Sequence, residues 1–352
     1  MTGGKDSRLV LAGLLSAGAT VETFTLSRGS ANTADVEIAA RLAHLGGVRH
    51  EIRQTSHQGQ GGERYANINL PARAATTVTV SDGMLSAYEN VTRAATFNSR
   101  PAMNGAGGEL LRGGFAKSVR LTDPSPFDGF VQRTLFSRSQ LFEPTAVDAF
   151  RDRFETWRSE LGGFSQASLL DAFYASFRVG RWSAAGSRAA TLGRNVCYPF
   201  FDNVLVARVF RCRLADRLSE RLLYEVLRRL APHFVDMPFA NDTWRCSAGA
   251  APTAAVAEIR AADSSAPQVA NTDWRQMPGE LRPIVRAQLQ DLLSKNMDVL
   301  RRDAVGKWLE SEQFGRADLS IALHLLTAAM LASDCWRGAG VPSRPARITF
   351  RG

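Results

Sequence analysis

The chain has 352 residues, 45% of them apolar and 22% charged, which excludes a disordered or fibrous polypeptide and leaves room for one large or two ordinary domains. Its longest apolar stretch, Leu319 to Leu331, is too short to span a bilayer, and no basic segment followed by an apolar run opens the chain; the expectation is a cytoplasmic protein without a membrane partner. The net charge of +9 is spread over single arginines and pairs such as Arg228-Arg229, with no basic run interleaved with aromatics, so nucleic acid is a disfavoured partner.

Residues 8–17 carry Val10, Leu11, Leu14 and Leu15 at helical spacing, and Gly18 stands where such a helix stops. Val21 to Leu26 is β-branched and aromatic and reads as a strand. A second helix follows from the cap candidates Asn32 and Thr33 to Gly46-Gly47, with Asp35 and Glu37 near its positive end. Val48 to Ile52 is a second short strand, so the first fifty residues alternate as a parallel α/β sheet does. Residues 54–66 read as a polar loop, Asp82 to Phe97 as a third helix, and Asn104 to Phe115 as a glycine-rich stretch after a short segment ending at Met103. Pro144 to Ala190, residues 204–230 and the region up to about Trp336 are helical in pattern. A composition break at 246–272 reads as a linker, and the tail from Gly338 as irregular.

The segment Thr2-Gly3-Gly4-Lys5-Asp6-Ser7 opens the first helix and has the chemistry of an anion nest. Glycines let the backbone approach phosphate oxygens, and the first amides of a helix point at whatever precedes it. Thr2 and Ser7 add hydroxyls and Lys5 a cation. Asp6 would repel phosphate unless a hard cation such as Mg²⁺ lay between them. The loop is not a Walker motif, because Lys5 is followed by Asp6, and no G-x-G-x-x-G follows a strand. The four cysteines, Cys197, Cys212, Cys246 and Cys335, stand singly without a C-x-x-C pair, and His50 and His57 have no ligand-spaced partner, so neither a zinc site nor a disulfide framework is expected. Trp182 reads as a core residue and Asp82 and Tyr88 as capping or packing residues with a possible substrate contact.

Taken together, these blocks resemble the asparagine synthetase-type ATP pyrophosphatases (PP-loop family). T-G-G-K-D-S-R-L is similar to that family's S-G-G-x-D-S loop, and L-S-R-G-S-A-N-T-A-D-V-E-I-A-A-R-L-A with H-E-I at 50–52 to its second strand and helix. N-G-A-G-G-E-L-L-R-G-G-F at 104–115 resembles S-G-E-G-A-D-E-L-F-G-G-Y, Y-P-F-F-D-N at 198–203 the P-F-L-D segment, and R-L-L-Y-E-V-L-R-R-L-A-P at 221–232 the K-x-L-L-R helix. The resemblance spans about residues 1–240 and implies a parallel-sheet ATP pyrophosphatase core (adenine nucleotide alpha hydrolase-like) with a helical C-terminal part. The implied divisions are 1–125 for the α/β core, 126–245 for the helical part of the synthetase domain, 246–280 for a linker and 281–352 for a last helical segment. It also implies an AMP-forming amide ligase using ATP and Mg²⁺. Thr2, Gly3, Gly4, Lys5, Asp6 and Ser7 would hold pyrophosphate, Leu26 and Gly105 would border the nucleoside, and Asp6 and Glu109 would share the metal. The partners would be a small-molecule or peptide carboxylate and a separate glutaminase or other ammonia source.

Four departures qualify that expectation. The chain opens on the loop itself, without the apolar strand expected before it, which suggests a fragment or a longer reading frame. No segment of these 352 residues is expected to form the family's glutamine-hydrolysing domain. Ala106 stands where relatives carry Glu or Tyr, and a methyl group transfers no proton. Glu220 stands where the family helix has its lysine, leaving Arg221 or Lys117 as catalytic cation; Arg112 and Lys117 flank the second glycine stretch and read equally as phosphate contacts or as solvated surface charges. The alternatives are a degenerate, non-catalytic ATP-binding partner and a tRNA-modifying PP-loop enzyme.

Overall fold

The computed structural model of the chain describes residues 1–27, 32–54, 64–89, 98–186, 194–240, 242–247, 274–337 and 346–350. They fall into two compact units that interleave along the sequence. Unit 1 comprises Met1–Gly59, Pro101–Arg120 and Val196–Ala270, and unit 2 comprises Gln60–Arg100, Leu121–Asn195 and Asn271–Gly352.

Unit 1 is α/β. Helix α1 (Lys5–Ser16) leads to β1 (Glu22–Ser27), then α2 (Thr33–Leu45), then β2 (Arg49–Gln54). The two strands pair in parallel, from Glu22 opposite Arg49 to Ser27 opposite Gln54. A parallel pair needs a crossover, and α2 supplies it. Gly18 and Gly47 close the two helices in the left-handed conformation expected of helix C-termini. Asn32 sits at the start of α2 but does not cap it: its amide donates instead to the Leu26 carbonyl at 2.8 Å. The Met1 amino group donates to the Phe24 carbonyl, and the Thr25 hydroxyl donates to the Met1 carbonyl at 2.7 Å, so the start of the chain runs beside β1. The parallel sheet is small: β1 and β2 form a sheet of two strands among the described residues.

The rest of unit 1 is helical and covers the inner side of α1. After the carboxyl ends of the short strands β4 (Asn98–Met103) and β5 (Arg194–Cys197), residues 101–103 and 196–197, come the helices Asn203–Phe210, Leu214–Leu218, Arg221–Leu230 and Pro232–Val235. The helix Arg221–Leu230 packs against α1. Ile38, Leu42, Leu110, Leu223, Leu227 and Phe234 are fully buried here. At the centre lies Arg8, also fully buried, whose guanidinium donates to the carbonyls of Gly3, Phe234, Met237 and Pro238 at 2.7–2.9 Å and stacks on Phe239 at 4.0 Å. Burial pushes this group down to about 9, so it stays charged at neutral pH.

Unit 2 is mainly helical. Its core is built by α3 (Leu70–Ser81) and the helices Pro278–Asn296, Arg302–Glu310 and Arg316–Ala332, which bury Leu70, Ala74, Leu281, Val285, Leu289, Leu323 and Leu326. Phe127, Phe154 and Phe173 form an aromatic cluster, with Phe173 stacked on Phe177 at 4.5 Å. Trp182, expected in the core, is instead 37% exposed: it lies on a π-helical stretch, Tyr174–Ser183, under the guanidinium of Arg178 at 3.6 Å.

Three further sequence expectations are corrected in this unit. The helix expected from Asp82 does not form over the described residues. α3 ends at Ser81 because Asp82 and Gly83 both take positive φ (51° and 74°), and side chains then claim the amides a new helix would need. Ser81 accepts from Leu85 N, Glu89 from Ser86 N and Thr327 from Ala87 N; residues 90–97 lie outside the description. α3 itself forms despite its β-branched run with Asn69 capping Ala72 N and Pro71 opening the first turn, while the hydroxyls of Thr76, Thr77 and Thr79 satisfy themselves on carbonyls four residues back. The expected polar loop and irregular tail contain strands: β3 (Arg64–Ile68) pairs antiparallel with β6 (Ala346–Phe350), burying Ile348. Most of the expected linker, from residue 248 onward, lies outside the described residues. No helix among the described residues is long and apolar enough to cross a membrane. Removing the buried volume of Leu326 by Leu326→Ala is expected to cost about 3 kcal/mol, read as a lowered midpoint in urea unfolding.

Candidate functional site

The first turn of α1 has no side-chain cap. Instead the residues before it fold into a short loop braced by its own hydroxyls. Thr2 Oγ1 lies 2.9 Å from Ser7 Oγ, Thr2 N donates to Ser7 Oγ at 3.3 Å, and Gly4 N donates to Thr2 Oγ1 at 3.3 Å. Gly3 N donates to the Asp35 carboxylate of α2 at 2.7 Å, and any side chain at Gly3 would run into Ile38 at 2.7 Å. The loop is thus anchored to α2, and the first amides of α1 receive no side-chain cap.

The glycine-rich stretch 104–115 lies directly against this loop. A Cβ at Gly105 would stand 3.1 Å from the Asp6 carbonyl carbon and the Ser7 nitrogen, and one at Gly108 only 2.4 Å from Asp6 Cγ. Gly107, with φ of 92°, lets the chain turn under Phe201, where a side chain would be 2.4 Å from the ring. All the blocks that carry the family resemblance, from the N-terminal loop to the helix Arg221–Leu230, fall in unit 1.

The charges around Asp6 form a network of alternating sign. Asp6 Oδ2 accepts from Arg112 Nη2 at 2.8 Å, while Asp6 Oδ1 is buried without a hydrogen-bond partner. Burial raises the Asp6 carboxyl above its ordinary value; Arg112 offsets part of this, and the neighbouring Glu109 charge adds to it. Glu109 in turn accepts from Lys117 at 3.3 Å. Lys5 does not face the loop. Its ammonium, 2% exposed, is held by Glu220 at 2.6 Å, Asp242 at 2.8 Å and the Thr243 carbonyl at 2.7 Å, above Phe239 and Trp244. Glu220 is buried in the left-handed conformation (φ 62°) at the head of the helix Arg221–Leu230, and also accepts from Arg245 N at 3.2 Å. Holding a non-glycine residue in that conformation costs about 1–3 kcal/mol, which its ion pairs oppose.

Of the sequence-derived candidates, Thr2, Gly3, Gly4, Asp6, Ser7, Gly105, Glu109 and Lys117 are brought together. Leu26 is exposed at the carboxyl end of β1, where ligands of parallel sheets bind. Arg221 is exposed on its helix, and its charge acts on Asp216 and Glu225 rather than on the loop. The cation that does reach Asp6 is Arg112, whose Nη1 also stands 4.0 Å from Glu220. The Asp6–Arg112 pair has no signal in the sequence beyond the place of Arg112 at the end of the second glycine stretch. Among the described residues no group of three or more His, Cys, Asp or Glu is placed to hold a metal alone. Asp6, with one orphaned buried oxygen, and Glu109 are the two acidic side chains that meet at this loop. No family model matches the chain, and neither a curated protein nor a solved structure matches it.

Two outcomes are expected. Lys5→Met leaves Glu220 short of its closest cation and is expected to destabilise unit 1 by about 3 kcal/mol, whereas Lys5→Met with Glu220→Met loses less than the single change, as urea unfolding of both variants will read. Gly108→Ala is expected to lower the melting temperature by several degrees, because the added Cβ would stand 2.4 Å from Asp6 Cγ and something must shift, as a thermal melt will read.

Proposed function

We propose that this chain is an AMP-forming amide ligase of asparagine synthetase type, which adenylates a small-molecule or peptide carboxylate with ATP and passes the acyl group to ammonia or an amine. The observation that carries the reading is the seating of Gly105 and Gly108 on Asp6, beside an uncapped helix start. That arrangement joins a phosphate cradle to two acidic side chains, and the order of the sequence blocks agrees with it.

In this reading the amides opening α1 and the hydroxyls of Thr2 and Ser7 bind the β- and γ-phosphates. Asp6 and Glu109 would hold the magnesium, which supplies charge neutralisation for the departing pyrophosphate. Leu26 and Gly105 border the nucleoside. A carboxylate oxygen of the acyl substrate attacks the α-phosphorus, and the α–β bond breaks with its electron pair on pyrophosphate. The amine nitrogen then attacks the acyl carbon, AMP leaves with the carbon–oxygen electrons, and the nitrogen's proton passes to solvent, since Ala106 has no basic group. Lys5 contributes through its backbone and through the tether it makes to Glu220. The protein's contribution is positioning and fixed charge.

Exchange of labelled pyrophosphate into ATP, screened over carboxylates, tests this. Exchange with one carboxylate is expected, reduced on the order of a hundredfold in Asp6→Asn. Exchange supported only by tRNA would assign the chain to base modification. A protein that binds magnesium-ATP but never exchanges is a non-catalytic partner, and one that binds neither ATP nor pyrophosphate refutes the nucleotide reading.

A further inference from the structure

Arg112 occupies a position that a metal and a phosphate would contest. It ends the turn Gly108–Arg112, is followed by Gly113 at φ 82°, and is only 16% exposed. One arm of its guanidinium is on Asp6 Oδ2 at 2.8 Å; the other is 4.0 Å from Glu220 Oε1, an anion already shared with Lys5 and the Arg245 amide. Its Nε is buried without a partner, as is the second oxygen of Asp6. Two cations cannot both sit closely on one carboxylate without repelling each other, so a divalent ion on Asp6 weakens the hold on Arg112. The released guanidinium has a planar fork suited to phosphate oxygens and remains tethered on its Glu220 side.

We propose, on the basis of the ligase reading above, that Arg112 is a displaceable counter-ion: it neutralises Asp6 in the empty site and turns to the nucleotide's phosphates when the cation arrives. It thereby supplies, from the second glycine stretch, the positive charge absent at Glu220. Exposed Arg221 is not needed for this. The device also links metal to nucleotide, because metal alone must compete with Arg112 whereas metal with phosphate offers Arg112 a new partner.

The distinguishing consequence is a pair of opposite effects. Arg112→Met is expected to bind manganese alone more tightly, by on the order of fivefold to tenfold, because the competitor is gone, and to bind pyrophosphate in the presence of saturating manganese on the order of tenfold more weakly. Arg112→Lys, which keeps the charge but not the fork, is expected to hold manganese as the wild type does and lose only part of the pyrophosphate affinity. Manganese binding is read by electron paramagnetic resonance and pyrophosphate binding by calorimetry, with thermal melts of each variant alongside. Folded Arg112→Met that loses both affinities together, or changes neither, overturns the proposal while leaving the ligase reading intact. If Arg112→Met does not fold, Arg112→Lys with undiminished pyrophosphate affinity overturns it. Wild-type protein that binds neither manganese nor pyrophosphate overturns the ligase reading and this proposal with it.

Discussion

Close approach of backbone to carboxylate is the constraint on which the candidate site depends. Gly105 and Gly108 lie so near Asp6 that a single added carbon at either would press on the loop. Without side chains there, the second glycine stretch can lay Glu109 and Arg112 beside a loop 106 positions earlier in the chain. Every charge relation around Asp6 follows from that fit: the guanidinium on one oxygen, the buried second oxygen, and the acid of Glu109 that reinforces the upward shift of its carboxyl.

A second constraint fixes the loop from behind. Lys5 turns its ammonium inward to Glu220 and Asp242, and Arg8, one helical turn on (three residues later), is wholly buried against backbone carbonyls, including that of Gly3. Two cations of the first helical turns thus anchor α1 to the helices behind it, and neither is available to solvent. Buried ion pairs are costly to desolvate and strongly destabilising when halved, which makes this a device for registering α1 and the helix Arg221–Leu230 rather than a large source of stability. The strained backbone of Glu220 sits at the centre of that registration.

This arrangement changes the meaning of the sequence departures. Glu220, a buried acid at the head of the helix Arg221–Leu230, reads as an isolated charge when that helix is considered alone. Beside Lys5 and Arg112 it is matched, with the anion on the helix and cations on the loop and the second glycine stretch. Ala106 has no such counterpart among the described contacts: it is exposed, its amide donating to Asn104.

What the sequence determined by itself was local. The α/β alternation of the first fifty residues, the helical character of 144–186 and 278–332, and the need for glycine at the two turns are written in periodicity and in residue type, because short-range backbone preferences and one-sided burial leave a repeating trace. Tertiary structure decided the rest. The β-branched run of α3 became helix, and residues 82–89 did not, because caps, hydroxyls and Thr327 claimed the amides. β3 found its partner in β6 at the far end of the chain. Arg112 met Asp6, and Lys5 turned away from the loop it belongs to. Such pairings join residues many positions apart through a single contact, and a single contact has no period in the sequence from which it can be read.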